Sequence, residues 1–312
     1  MKTRPFKQVD VFTAEPYLGT PLAVVLDGTG LSDFDMQHFA HWTNLSETTF
    51  VLPPSAQGAA AGADYRVRIF TPGAELPFAG HPTLGSCHAW LEAGGTPKAG
   101  DQIVQECQVG LVRIRRDGTR LAFAAPPLKR SNPSPALLAK VAAALGLKAH
   151  QIVAAQLLDN GPVWLGLLLD NPQTVLQLAP NHLELKSLGQ KVGVAGMEPA
   201  QSATTLIARS NREARAFGPR SIEPAVPSLG SSELEVRAFA APVGINEDPV
   251  TGSFNASLAQ WLIADGFAPS RYVATQGTCL GRNGQVHVAC DATGQVWVGG
   301  DSVTCIDGSV AL

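Results

Sequence analysis

Short stretches of alternating apolar and polar residues recur along the chain, and a period of two predicts strands. Gln8–Phe12 and Pro21–Leu26 read as a hairpin, and Thr49–Leu52 and Tyr65–Phe70 extend the same sheet. Downstream, Gly110–Ile114 and Arg120–Phe123 flank Asp117-Gly118, while Gly284–Val288 and Gln295–Val298 flank a turn between Asp291 and Gly294. Both are hairpin patterns. Helical spacing is rarer. Asp33–Trp42 carries it, and so does Pro135–Leu147, with Ser134 as its cap and Pro135 in its first turn.

Two distant segments repeat one another. Arg68-Ile69-Phe70 leads through a loop to Gly80-His81-Pro82-Thr83 and ends at Trp90-Leu91, and Arg237-Ala238-Phe239 leads to Gly252-Ser253-Phe254-Asn255 and ends at Trp261-Leu262. Each unit reads as strand, polar loop, glycine turn and a helix closed by glycine. The two hairpins follow in the same order, so the pattern predicts a duplicated domain rather than a solenoid. Between the copies, Ala125–Pro135 holds four prolines in eleven residues, which suits a linker and excludes a helix or a central strand.

At 312 residues the chain can build two cores, and 45% hydrophobic against 16% charged residues mark it as globular. A net charge of -3 without a dense Lys/Arg cluster gives no reason to expect a nucleic-acid partner. Apolar stretches such as Val163–Leu169 fall far short of the ~20 residues a membrane helix needs. Met1–Pro5 runs into a strand-like stretch rather than a signal-peptide core, so a cytoplasmic location without a membrane partner is expected. Five widely spaced cysteines without a CxxC predict reduced, mostly buried thiols. His38 and His41 share a helical face but lack a third ligand nearby, so no metal is expected.

Candidate chemistry gathers at three places. Glu47 stands where a helix gives way to a strand. A carboxylate in such a half-buried position is poorly hydrated, which suits a group that takes and returns a proton, although a surface glutamate fits the pattern as well. Gly80 opens a helix whose free N–H groups attract carboxylate or phosphate, with His81 at its mouth as donor, relay or simple structural histidine. Asp248 and Ser253 occupy the mirrored element, with Ser253 as expected cap and Asp248 as either cleft residue or ordinary turn residue. A twofold relation between the copies would bring these signals into one interdomain cleft.

At these residues the sequence resembles the phenazine-biosynthesis PhzF-like family and, behind it, the diaminopimelate-epimerase fold. The matching stretches are Val9–Thr13, Pro21–Val25, Asn44–Phe50, Glu75–Gly85, Glu247–Ser253, Gln276-Gly277 and Gly281-Arg282, so the likeness spans residue 6 to about 308. The resemblance implies an α+β fold of two pseudo-symmetric domains, 1–126 and 134–305, with 306–312 packing back on the first. Each is a curved, mostly antiparallel sheet around a central helix, and the active site lies in the cleft between them.

The resemblance further implies a cofactor-independent isomerase acting on a small carboxylated, amino acid-like metabolite, commonly as a homodimer, with no cofactor or metal. Glu47 is then the acid–base, with His81, Asp248 and Ser253 around the substrate and Ser46, Gly80, Thr251 and Gly252 binding it. The family's named enzyme isomerises a dihydro-hydroxyanthranilate. A lyase, dehydratase or epimerase on a hydroxylated amino acid, or a non-catalytic binding protein, would fit the same fold. The two-cysteine racemisation of fold relatives is closed, because Ala79 and Thr251 stand where the thiols would be. Two departures bear on the pocket. Gly19-Thr20-Pro21 replaces the family's Gly-Asn-Pro, which is expected to alter an amide contact, and Phe254 replaces a small residue, which is expected to narrow the cleft. The loops Gly58–Asp64 and Arg209–Leu229 are expected to shape it.

Overall fold

The structure, a computed structural model, describes residues 1–197 and 234–312, so Arg209–Leu229 lies outside the described residues. The first half contains β1 (Thr3–Val11), β2 (Thr20–Val25), α1 (Asp33–Thr43), β3 (Glu47–Leu52), α2 (Ala56–Ala60), β4 (Tyr65–Phe70), β5 (Glu75–Leu76), α3 (Gly80–Glu92), β6 (Gln102–Cys107), β7 (Gly110–Asp117) and β8 (Arg120–Ala124). The second contains β9 (Lys129–Ser131), α4 (Pro135–Leu145), β10 (Ile152–Asp159), β11 (Val163–Leu169), α5 (Pro172–Gln177), α6 (His182–Leu188), β12 (Lys191–Met197), β13 (Leu234–Ala240), β14 (Ile245–Asp248), α7 (Gly252–Ala264), β15 (Arg271–Gln276), β16 (Gly284–Cys290), β17 (Val296–Gly300) and β18 (Ser302–Ala311).

Hydrogen-bonded neighbours follow the order β18-β1-β2-β3-β4-β6-β7-β8-β17-β16-β15-β13-β12-β11-β10-β9, with β5 beside β4 and β14 beside β13. The order reads the same outward from the β8–β17 pair in both directions. Even the senses agree: β2–β3 and β11–β12 are parallel, as are β4–β6 and β13–β15, while the remaining pairs are antiparallel. The duplication read from the sequence is therefore a duplication of topology.

Each half wraps a central helix. α3 buries nine residues from Gly80 to Ala89, and α7 buries nine from Gly252 to Leu262. A helix apolar on nearly all sides must be surrounded by protein, and both rest in one core with Phe12, Tyr65, Phe123 and Trp261. Glycine lets neighbours come close: a side chain at Gly193 would overlap the Phe254 ring.

Several boundaries differ from those the pattern predicts. β1 begins five residues earlier than expected, because it pairs along its length with the chain's last strand, from Thr3↔Ala311 to Val11↔Ser302. The proline-rich linker contributes β9, a three-residue strand on the outer side of β10, where an edge tolerates nearby proline. Gly58–Asp64 is no open loop: α2 covers its start, and Glu106 holds Ser55 at the cap of that helix. Only Cys87 and Cys107 are buried, whereas Cys279 is exposed, so the thiols are not mostly buried. Among the described residues no helix is long and apolar enough to cross a membrane.

Candidate active site

The starts of α3 and α7 meet where the two halves join. A Cβ placed on Gly80 would lie 2.8 Å from the Gly252 Cα, and one on Gly252 would lie 2.9 Å from the Gly80 Cα. Only two residues without side chains can make this approach. The capping residues are Ala79 and Thr251, both extended, and neither side chain accepts a hydrogen bond from its helix. The first N–H groups of a helix have no intrahelical partner, so two uncapped positive helix ends are brought together. Ser253 is not the cap it was expected to be. Gly252 is already helical, which puts Ser253 at the second position, where its Oγ accepts from the Trp164 indole at 3.3 Å.

Glu47 is the first residue of β3, and its side chain is 12% exposed. Its Oε2 approaches His81 Nε2 to 3.0 Å. Both atoms are shut away from solvent, and the contact is an ion pair when the imidazole is protonated. His81 follows Gly80 and is 4% exposed. Burial alone would push its imidazole down, but the Glu47 charge beside it, then Asp248 and Asp10, outweigh that and hold it above its ordinary value.

Asp248 ends β14 and belongs to the same electrostatic cluster. The residue is partly exposed, but its Oδ1 is buried without a hydrogen-bond partner among the described residues. Its Oδ2 accepts from the Thr251 hydroxyl at 2.6 Å. Burial raises the Asp248 carboxyl and Glu47 raises it further, while His81, Thr251 and Lys191 pull the other way without cancelling the shift. Behind this edge Gln276 acts as a brace. Its Oε1 accepts from Thr251 N at 3.0 Å and Asn255 Nδ2 at 2.8 Å, and its Nε2 donates to Asp248 O and the Thr251 hydroxyl, both at 3.0 Å. A buried amide with four partners fixes the turn from which α7 starts.

The phenazine biosynthesis-like protein family, PhzC-PhzF, matches the sequence over residues 9–223 and 221–308. The chain belongs to the PhzC-PhzF family. It is 35% identical to antisense-enhancing sequence 1 of Schizosaccharomyces pombe over 99% of both chains. It is 30% identical to the trans-2,3-dihydro-3-hydroxyanthranilate isomerase of Pseudomonas aeruginosa over 97% of this chain and 98% of that one. Among solved structures, the PhzF-family protein of Bacillus anthracis superposes with a TM-score of 0.78 at 21% identity, covering both chains fully. At that identity the likeness speaks for the fold, which is the mixed α+β architecture with few helices described above.

In this PhzC-PhzF chain the structure brings Glu47, His81, Asp248, Thr251, Gly80 and Gly252 together. Ser253, next to Gly252, bonds through its hydroxyl to Trp164 on β11 and through its carbonyl to Asn160, whose Nδ2 donates at 2.9 Å. Ser46 lies half-buried in the bend before Glu47 and makes no side-chain hydrogen bond to the others among the described residues. Thr20 is fully buried and its hydroxyl donates to the Val250 carbonyl at 3.3 Å, tying the first half to the approach to α7. Phe254 does not narrow the cleft. Its ring is 0% exposed and packs over Gly193, 5.4 Å from the Trp164 ring, inside the second half.

Lys191 lies within electrostatic reach of Glu47 and Asp248, a place its local sequence does not announce. It opens β12 opposite Trp164 in the parallel β11–β12 register, and its Nζ lies 5.7 Å from that ring's centroid. Burial lowers its ammonium, and the charges of Glu47 and Asp248 restore only part of the loss. Nothing in Gln190-Lys191-Val192 signals this place, because pairing with a distant strand creates it. Among the described residues, no three His, Cys, Asp or Glu side chains gather as a metal cage.

Proposed function

We propose that the protein is a cofactor-independent isomerase that moves a proton on a small carboxylated metabolite, with Glu47 as the acid–base. The supporting observation is the placement of a nearly buried carboxylate, paired with a buried histidine, beside two uncapped helix starts in mutual contact. The substrate's carboxylate accepts hydrogen bonds from the N–H groups near Gly80 and Gly252. Glu47 takes a proton from a carbon next to an unsaturated system, and the electron pair left behind spreads into that system. His81 and the helix-end N–H groups stabilise the developing charge. Glu47 then delivers the proton to another carbon on the same face, so substrate and product have the same composition. Residues 1–126 and 134–305 serve as the two walls of the cleft in this reading, and the working form is a homodimer.

The relative from Pseudomonas supplies a first trial compound, trans-2,3-dihydro-3-hydroxyanthranilate, with other small unsaturated amino acids beside it. Turnover followed by mass and by deuterium uptake from D2O should give a product of unchanged mass in unlabelled water. Glu47→Gln should lose about 10²–10⁴-fold in turnover, the usual contribution of general acid–base catalysis, while still binding the acid. Turnover retained in that variant would remove Glu47 from the mechanism. One observation favours a second reading, dehydration of a hydroxylated amino acid. The raised Asp248 carboxyl is a candidate acid for a departing hydroxyl. The product would then be lighter by one water.

A further inference from the structure

The wall of the second half carries a set of groups that proton transfer at Glu47 leaves unused. Asn160, Trp164 and Lys191 come from the turn after β10, from β11 and from β12, and all three connect to the start of α7, Lys191 through Trp164. Asn160 and Trp164 both bond Ser253, and the Lys191 ammonium stands over the Trp164 ring. A cation within about 6 Å of an indole centroid is attracted to its face, which holds the lysine head in place. Lys191 makes no ion pair with a carboxylate within 4 Å among the described residues, although Glu47 and Asp248 both act on it from the cleft. Asn160 is 7% exposed, and its Oδ1 is buried with no hydrogen-bond partner among the described residues.

A partly desolvated cation without a carboxylate partner is costly, and it stands in a cleft whose helix starts already accommodate one acid group. We propose that Lys191, seated on Trp164, binds a second acidic group of the substrate, so that the cleft selects small diacids over monoacids. This rests on the proposed function above, which places the first carboxylate at Gly80 and Gly252. The indole keeps the ammonium on the α7 side of the cleft, so the substrate lies across the cleft with Glu47 acting on the carbon between its two ends. Lys191 is thus a specificity residue, and Trp164 is the positioning residue behind it.

The test uses the full chain and two probe series in calorimetric titration. The diacids are succinate, glutarate, adipate and phthalate; the monoacids are butyrate, valerate, hexanoate and benzoate. For the diacid of matching length the wild type should bind at least about tenfold more tightly than its monoacid counterpart, which corresponds to 1.4 kcal/mol. Lys191→Met should erase that difference, and Lys191→Arg should keep most of it, since the charge remains. A wild type without any diacid preference, or a Lys191→Met variant that keeps the preference, overturns the proposal. In either case monoacid binding that is weakened by Gly252→Ala leaves the helix-start reading standing. Failure of both series to bind the wild type overturns both together.

Discussion

Replacing Gly252 with alanine perturbs the contact on which the site is built. The added Cβ would lie 2.9 Å from the Gly80 Cα, 3.0 Å from the His81 nitrogen and 3.1 Å from the Gly80 carbonyl carbon. These are backbone atoms of a buried helix start, so no side chain can swing aside. Ordinary carbon–carbon contact begins at about 3.5 Å, so the two helix starts must part by about half an ångström. Overpacking of this kind costs about 1–3 kcal/mol of stability. A misplacement of about 1 Å can cost ~10²-fold in rate, so half of that shift corresponds to about tenfold. The control is Gly308→Ala, whose Cβ would meet nothing within 4 Å. Urea unfolding gives the stability difference, and thermal shift with benzoate and glutarate reports the anion site. A Gly252→Ala protein that unfolds within about 0.5 kcal/mol of wild type, the range of an inert surface change, and keeps the full ligand-induced shift would refute this account of the contact.

Two further outcomes follow from the same geometry. His81 has a raised folded-state pKa, so its contribution to stability is complete below the ordinary histidine value of about 6.5 and is lost as pH rises through the raised value. Stability should fall as pH rises from about 6.5 through the raised value and level off beyond it. Glu47→Gln removes the chief raising charge and should flatten this part of the urea-midpoint profile, whereas an unaltered slope would separate the effect from the Glu47–His81 pair. Phe254→Ala should cost about 3–5 kcal/mol by opening a cavity over Gly193. Its affinity for the acid probes should stay as in wild type, because the ring faces the core; a large gain for bulkier acids would put Phe254 in the cleft after all.

The sequence by itself determined the local pieces and their repetition. Turn and capping chemistry acts over a few residues, which is why α4 starts behind the Ser134 cap, with its hydroxyl accepting from Leu137 N, although it ends at Leu145 rather than Leu147 because Gly146 turns to φ 71°. The two hairpins turn where Asp and Gly were read, with Gly118 at φ 65° and Gly294 at φ 85°. The glycine-led turns at Gly80 and Gly252 were legible because duplication wrote that pattern twice, and the family resemblance drew Glu47, His81 and Asp248 to the same place.

Only the tertiary structure decided which side chains share the cleft. Ser253 turns to Trp164 and Phe254 fills the space over Gly193, because the helix begins at Gly252, two residues sooner than a Ser253 cap would allow, so both side chains project from within its first turn. Lys191 reaches the site because β12 lies parallel to β11, in a register that no neighbouring residue announces. β1 extends to Thr3 because a strand some three hundred residues later pairs with it. Short-range sterics are written locally in a chain, whereas register and facing depend on which distant surfaces bury one another, and those are settled only when the whole sheet closes.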